Sequence, residues 1–264
     1  MLNLHTLWSL LSIDLGLMAV AFVINQVTQR AGIVDVMWSF CILVNSVYCV
    51  VIHQQGDDWT RLTIGMIGFL WFGRLGLHLL TRYLHERKED GRYANMRAAS
   101  GKFEDAVFLV FFVFQAGLAL LFSIPMWWLT QIPTSEWSQY HHIVLTIAGL
   151  WLLIALWGET TADRQLARFR QSKQNHGKTM RTGLWAYSRH PNYFFEWLHW
   201  FVYPIIGIEA GLYELWLYPI LMFLFLYYVT GIPFTEKQAL LSRGDDYRLY
   251  QQQTSLFFPR SPRK

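Results

Sequence analysis

The 264-residue sequence predicts an all-α, polytopic membrane protein with about seven transmembrane helices plus cytoplasmic amphipathic helices. Three observations predict it. The composition is 53% hydrophobic and only 15% charged, where a soluble domain is nearer a quarter charged. Apolar runs recur that approach the roughly 20 residues a helix needs to cross a bilayer. Basic residues gather in alternate loops, the bias that orients membrane helices.

The runs, in order, are Leu7–Val27, Ile33–Ile52, Leu62–Leu80, Ala106–Leu129, Ile143–Trp157, Tyr193–Ile208 and Leu215–Ile232. They are continuous rather than alternating, which excludes a closed barrel. The first run reads as a retained helix, because Met1–Ser9 carries no Lys or Arg and the run is long for a signal peptide. Thr161–Gln171 reads as a helix continuing from the fifth run. Gly177 and Gly183 then break the pattern, and Pro191 marks a new helix start. Pro233 ends or kinks the last run, and an amphipathic surface helix is expected from Thr235 to Gln253. With no linker or repeat, one domain spanning 1–264 is the economical reading.

Arg82, Arg87, Lys88, Arg92, Arg97 and Lys102 fall between the third and fourth runs. A second basic group, from Arg164 to Arg189, falls between the fifth and sixth, and a third, from Lys237 to Lys264, in the tail. The alternate loops hold only Arg61. The expected orientation is N-terminus outside and C-terminus cytoplasmic, which suits an odd number of spans. The +4 net charge therefore reflects topology and attraction to anionic lipid, and no nucleic-acid partner is expected. Cys41 and Cys49, eight residues apart on one helix, cannot bridge and read as core cysteines. His53, His141 and His142 read as surface residues of the outer side. No His/Cys cluster has zinc spacing, so no metal is expected. GxGxxG, Walker A and GxSxG patterns are lacking.

Polar groups inside apolar runs are costly and usually bind or react. Asp14 reads as a helix-pairing partner. Asp35 opens the second run, where it suits the helix dipole or a cap. Arg74 and His78 lie one turn apart beside Gly73 and Gly76, which allow close approach of another helix or a ligand; a structural pair with Asp14 or Asp35 is as reasonable as catalysis. Glu159, Asp163, Leu166 and Arg170 share one helical face, suited either to a phosphate-bearing cofactor or to solvated charge pairs. The densest stretch is Ser188-Arg189-His190-Pro191-Asn192-Tyr193-Phe194-Phe195-Glu196-Trp197-Leu198-His199-Trp200, a basic loop running into an apolar segment that carries Asn192, Glu196 and His199.

This stretch, extended back to Gly183, resembles the C-terminal region of the steroid 5-alpha-reductase-like membrane superfamily, and more closely the bacterial branch called DUF1295. The likeness includes Ile33–Trp38, the Arg74–His78 region, Lys88–Tyr93, Asp246-Tyr247-Arg248 and Phe257–Arg260. It implies a single integral membrane reductase-like domain whose cofactor-binding half is approximately 143–264. That domain would hold NADPH on the cytoplasmic side of a bacterial inner membrane. It would reduce a carbon–carbon double bond conjugated to a carbonyl in a lipidic or sterol-like substrate.

By the same resemblance Asn192 and Glu196 hold the nicotinamide end. Asp163 and Arg170 bind the nucleotide's other parts, Arg170 with nearby Arg168, Lys178 and Arg189 can neutralise its phosphates, and Tyr193 and Tyr247 complete the set. Asp35 takes the place of a Glu that pairs with a Tyr to polarise the substrate carbonyl. The Tyr position holds Trp71, leaving Arg74, His78 or Tyr83 to substitute; Asp35, Arg74 and Glu196 are the expected catalytic residues. Glu159 stands where the reductases have Asn, and Phe195 where a glycine is common. The rival implied activity is an S-adenosylmethionine-dependent methyltransferase of the isoprenylcysteine or phospholipid type. Those enzymes share the Arg-His-Pro run but commonly begin the tail helix with two Glu, where this chain has Thr235-Glu236. A non-catalytic lipid-binding protein of the same fold is the third reading.

Overall fold

The computed structural model describes residues 4–86, 88–229 and 231–263. Arg87 and Lys264, counted above among the basic residues, lie outside these. Among the described residues there is no strand. The helices are α1 (Leu4–Thr28), α2 (Ile33–Ile52), α3 (Asp58–Ile67), α4 (Arg74–His85), α5 (Gly91–Ser100), α6 (Glu104–Leu129), α7 (His141–Gln171), α8 (Pro191–His199), α9 (Val202–Gly207), α10 (Leu217–Leu224), α11 (Ile232–Arg243) and α12 (Asp245–Gln253). Two compact units result, Met1–His142 and Ile143–Lys264. The protein is a polytopic membrane protein of helices.

Among the described residues six helical stretches are long and apolar enough to cross a membrane: Leu4–Thr28, Ile33–Ile52, Asp58–His85, Gly91–Leu129, His141–Gln171 and Tyr213–Arg243. About seven spans were expected, and the difference is the run Tyr193–Ile208. It forms two short helices, α8 and α9, separated by a turn at Trp200 and Phe201. Pro204 explains the break. A proline has no N–H to give the carbonyl four residues earlier and its ring crowds that carbonyl, which here belongs to Trp200. The Trp200 and Phe201 N–H groups bond three residues back, to Trp197 and Leu198, in a tightened turn.

In the first unit, α2 is the central helix, packed against α1, α4 and α6. Its close contact with the third span needs glycine. A Cβ on Gly76 would stand 3.0 Å from the Phe40 ring, and one on Gly68 would stand 2.2 Å from Ser46 Oγ. Gly68–Gly73 is a π-helical segment that joins α3 to α4. Asp14, fully buried, accepts from Asn45 Nδ2 at 2.9 and 3.1 Å, and Asn45 also reaches Ser123. It thus pairs α1 with α2, as its depth in an apolar run suggested. Cys41 and Cys49 are free and buried.

The histidines of the alternate loops correct the sequence reading. His53 and His141 are buried, and only His142 is exposed. His53 Nδ1 lies 2.8 Å from Thr130 Oγ1, His141 Nε2 lies 2.7 Å from Thr60 Oγ1, and Trp137 stacks on the His141 ring. Asp57 caps α3 and also bonds Thr134. The two loops close on each other, and polar residues that read as solvated are spent on that closure.

In the second unit, α7 runs past its apolar part to Gln171, as expected. The expected helix 235–253 is instead two, α11 and α12, broken at Gly244 with φ +53°. That backbone region favours glycine.

Candidate functional site

The first unit gathers a polar cluster around Asp35. This residue lies in the first turn of α2, where the helix dipole favours its charge. Its side chain does not cap the helix. Arg92 Nη2 donates to Asp35 Oδ2 at 2.8 Å, and Tyr93 OH donates to Asp35 Oδ1 at 2.6 Å. Each carboxylate oxygen is thus held by one of two consecutive residues of α5. Asp90 fixes that helix by capping it, accepting from the Arg92 backbone N–H at 2.9 Å and from its Nε at 3.1 Å. Burial opposes ionisation of Asp90. The hydrogen bonds and charge of Arg92, with Arg82 nearby, outweigh it and hold the carboxyl below its ordinary range.

Arg74, His78 and Tyr83 are not the groups that bond Asp35. The Arg74 guanidinium sits 5.4 Å from the Trp71 ring, and Trp71 is fully buried. Tyr83 bonds Thr28 at 3.0 Å and carries the Arg30 guanidinium on its ring. His78 is exposed. The phenol that bonds Asp35 comes instead from α5. Tyr93 stood inside the quoted Lys88–Tyr93 motif, and that motif was the only signal for it in the sequence.

In the second unit, α8 opens with Pro191 at its first turn, where the missing N–H costs nothing. Asn192 and Glu196 lie one turn apart. Asn192 is half-buried, and Glu196 is buried with Trp200 Nε1 donating to it at 3.1 Å. On α7, Glu159 is buried, Asp163 half-buried and Arg170 exposed. The two helices interlock. The Phe195 ring rests on Gly158, where a Cβ would stand 2.3 Å from it, and Trp151 Nε1 donates to the Leu198 carbonyl at 2.8 Å. Phe195 thus finds its room in a missing side chain on α7. His199, fully buried, meets Tyr203 OH at 3.3 Å.

Glu236 organises the rest. Arg189 Nε and Nη2 donate to its two oxygens at 3.0 and 3.1 Å, His190 Nε2 lies at 2.9 Å, Tyr247 OH donates at 2.7 Å, and Gln251 donates as well. Arg189 Nη1 also reaches the Gln251 and Thr254 carbonyls, both at 3.0 Å. Arg189 and Tyr247, expected at a cofactor, come together here on a carboxylate. Tyr193 stacks on His190 at 5.4 Å. The tail is held further by Ser188 Oγ donating to the Phe257 carbonyl at 2.8 Å, and by Phe257 packing on Phe194, Trp197 and Phe223.

Burial holds His190 below the ordinary imidazole value of 6.5, and the Glu236 carboxylate only partly offsets it. The unfolded chain therefore binds a proton at higher pH than the folded one. The stability tied to neutral His190 is complete above 6.5 and is lost as pH falls through 6.5 toward the lower folded value. Thermal melts from pH 7.5 to 5 (roughly this window) should fall more steeply for the wild type than for His190→Gln, whose amide can still donate to Glu236. Parallel curves would mean that another group titrates.

Residues 21–254 match the family described as a protein of unknown function, DUF1295. The chain belongs to the DUF1295 family. No curated protein and no solved structure matches it. Both clusters of this DUF1295 chain, around Asp35 and around Glu236, fall within the matched residues.

Proposed function

We propose that this DUF1295 protein is an NADPH-dependent membrane reductase of a carbon–carbon double bond conjugated to a carbonyl in a lipidic substrate. The observation that carries the reading is the Tyr93–Asp35 hydrogen bond of 2.6 Å. A phenol held on a carboxylate at a membrane-helix start keeps its proton and is a positioned hydrogen-bond donor for a carbonyl oxygen. Trp71, whose indole N–H is a weaker acid, cannot replace it.

The donor set of the second unit fits a dinucleotide in part. Asn192 and Glu196 present an amide and a carboxylate one turn apart, a match for a carboxamide's acceptor and donors. Arg170 and Lys178 are exposed and suit phosphate, and Asp163 shares the Arg170 face. Arg189 and Tyr247 act one step back. Through Glu236 they fix the loop from which α8 starts, so they position Asn192 rather than meet phosphate.

Bound NADPH would supply a hydride to the carbon β to the carbonyl. Tyr93 would turn its O–H from Asp35 to the carbonyl oxygen and stabilise the developing enolate. Asp35, held by Arg92, would take Tyr93 back to its starting bond. A proton taken from water at the α carbon completes the reduction. The basic loops support a cytoplasmic side for these groups, in our reading that of a bacterial inner membrane. We read α8 and α9 as a seventh, broken crossing, which puts the N-terminus outside.

The methyltransferase reading rested against Thr235-Glu236. Glu236 is used internally and Thr235 Oγ1 bonds the Gly231 and Ile232 carbonyls at 2.9 and 3.0 Å. Discrimination therefore falls to ligand binding. Calorimetry of the full chain in detergent should show binding of NADPH and none of S-adenosylmethionine. Binding of S-adenosylmethionine alone would overturn the reductase reading.

A further inference from the structure

We propose that the lipid-facing stripe of α7 ends in a binding site for the phosphate headgroup of an anionic phospholipid, formed by Arg164 and Arg168. This inference stands apart from the reductase reading. Its basis is one continuous helical face. Ile143, Leu150, Leu153 and Trp157 each expose more than half of their surface. At 100° per residue Arg164 and Arg168 fall within about 20° of Trp157, and both are exposed. The stripe passes from aliphatic residues through an indole to two guanidinium groups, the order of hydrocarbon, interface and headgroup.

Length supports the same placement. The 31 residues of α7 extend about 46 Å at 1.5 Å per residue, against about 30 Å of hydrocarbon. The last turns must leave the apolar layer. Arg164 and Arg168 lie about 10 and 16 Å beyond Trp157 along the axis. Helical side chains lean toward the helix N-terminus, which for α7 points back into the bilayer. The long arginine stems can therefore return the charge to phosphate depth.

Internal charge pairing does not account for the two arginines. Among the described residues no carboxylate lies within 4.0 Å of either guanidinium. Asp163 and Arg170, which the resemblance assigns to the cofactor, lie on a different part of the helix surface: Asp163 is about 100° from Arg164, and Arg168, expected near the cofactor's phosphates, is about 160° from Arg170 and falls on the stripe instead. Two unpaired guanidinium groups one turn apart, continuous with an acyl-chain surface, fit a lipid that carries both an apolar tail and a phosphate.

The test is native mass spectrometry of the full chain released from mixed micelles. It compares the dissociation constant of the first bound phosphatidylglycerol with that of phosphatidylcholine. The wild type should prefer phosphatidylglycerol. Arg164→Gln/Arg168→Gln should weaken that preference by about fivefold per arginine, the factor that about 1 kcal/mol per basic residue implies. The control Lys173→Gln/Lys237→Gln makes the same charge change away from the stripe and should leave the preference in place. Equal loss in the control would assign the effect to diffuse charge and overturn the site. So would an unchanged preference in the arginine variant, including one accompanied by weaker NADPH binding.

Discussion

Glu236→Gln should destabilise the second unit by about 3–5 kcal/mol, the range for removing one partner from a buried charge pair. The carboxylate accepts from four side chains at once. Its side chain and that of Arg189 expose only 13% and 11%, so solvent screens the pair little. A glutamine amide keeps one acceptor and turns two donors toward groups that are themselves donors. Arg189 would remain buried without its counter-charge, and the tail would lose its main tie to the loop before α8. Chemical unfolding gives the free energy, and limited proteolysis should cut the tail of the variant first. Arg189→Met/Glu236→Gln should recover part of the loss, because it removes the stranded charge as well. A loss under about 1 kcal/mol would place the cluster with ordinary surface ion pairs.

Tyr93→Phe should lower turnover by about 10²–10⁴, the usual contribution of a positioned acid, and leave NADPH binding intact. Its cost to folding should be only about 1 kcal/mol, the net worth of one hydrogen bond, because Asp35 keeps Arg92 and the ring keeps its packing against Phe111. The assay is oxidation of NADPH by the full chain in detergent with an alkyl-substituted cyclohexenone. Asp35→Asn should also lower turnover, while Trp71→Phe should not. Unchanged turnover in Tyr93→Phe, in a protein that turns over the enone, would remove Tyr93 from the chemistry and leave the bond structural.

The spans were legible because insertion depends on run length and polarity, both of which are local. Ile33–Ile52 was read with the bounds of α2, and the extension of α7 to Gln171 was readable from its periodicity. The break between α8 and α9 was not read, although Pro204 announces it. An apolar run reports the cost of leaving water and says nothing about helix continuity. Gly244 likewise interrupts a stretch whose amphipathic pattern continues across it.

The candidate site was legible only where its members are close in sequence. Asn192 and Glu196 share a helix, so their spacing carries their geometry. Tyr93 meets Asp35 across 58 residues, and Arg189 meets Glu236 across 47. By itself the sequence determined a membrane-embedded helical protein, its family, and the residues too polar for their surroundings. Only the tertiary structure decided how those polar residues pair. It set Asp35 against Arg92 and Tyr93, Arg189 against Glu236, and His53 and His141 inside a closed pair of loops. The physical reason is that a buried charge or donor must find a partner. Which partner it finds depends on helix packing, and here packing rests on contacts such as Gly76 with Phe40 and Gly158 with Phe195.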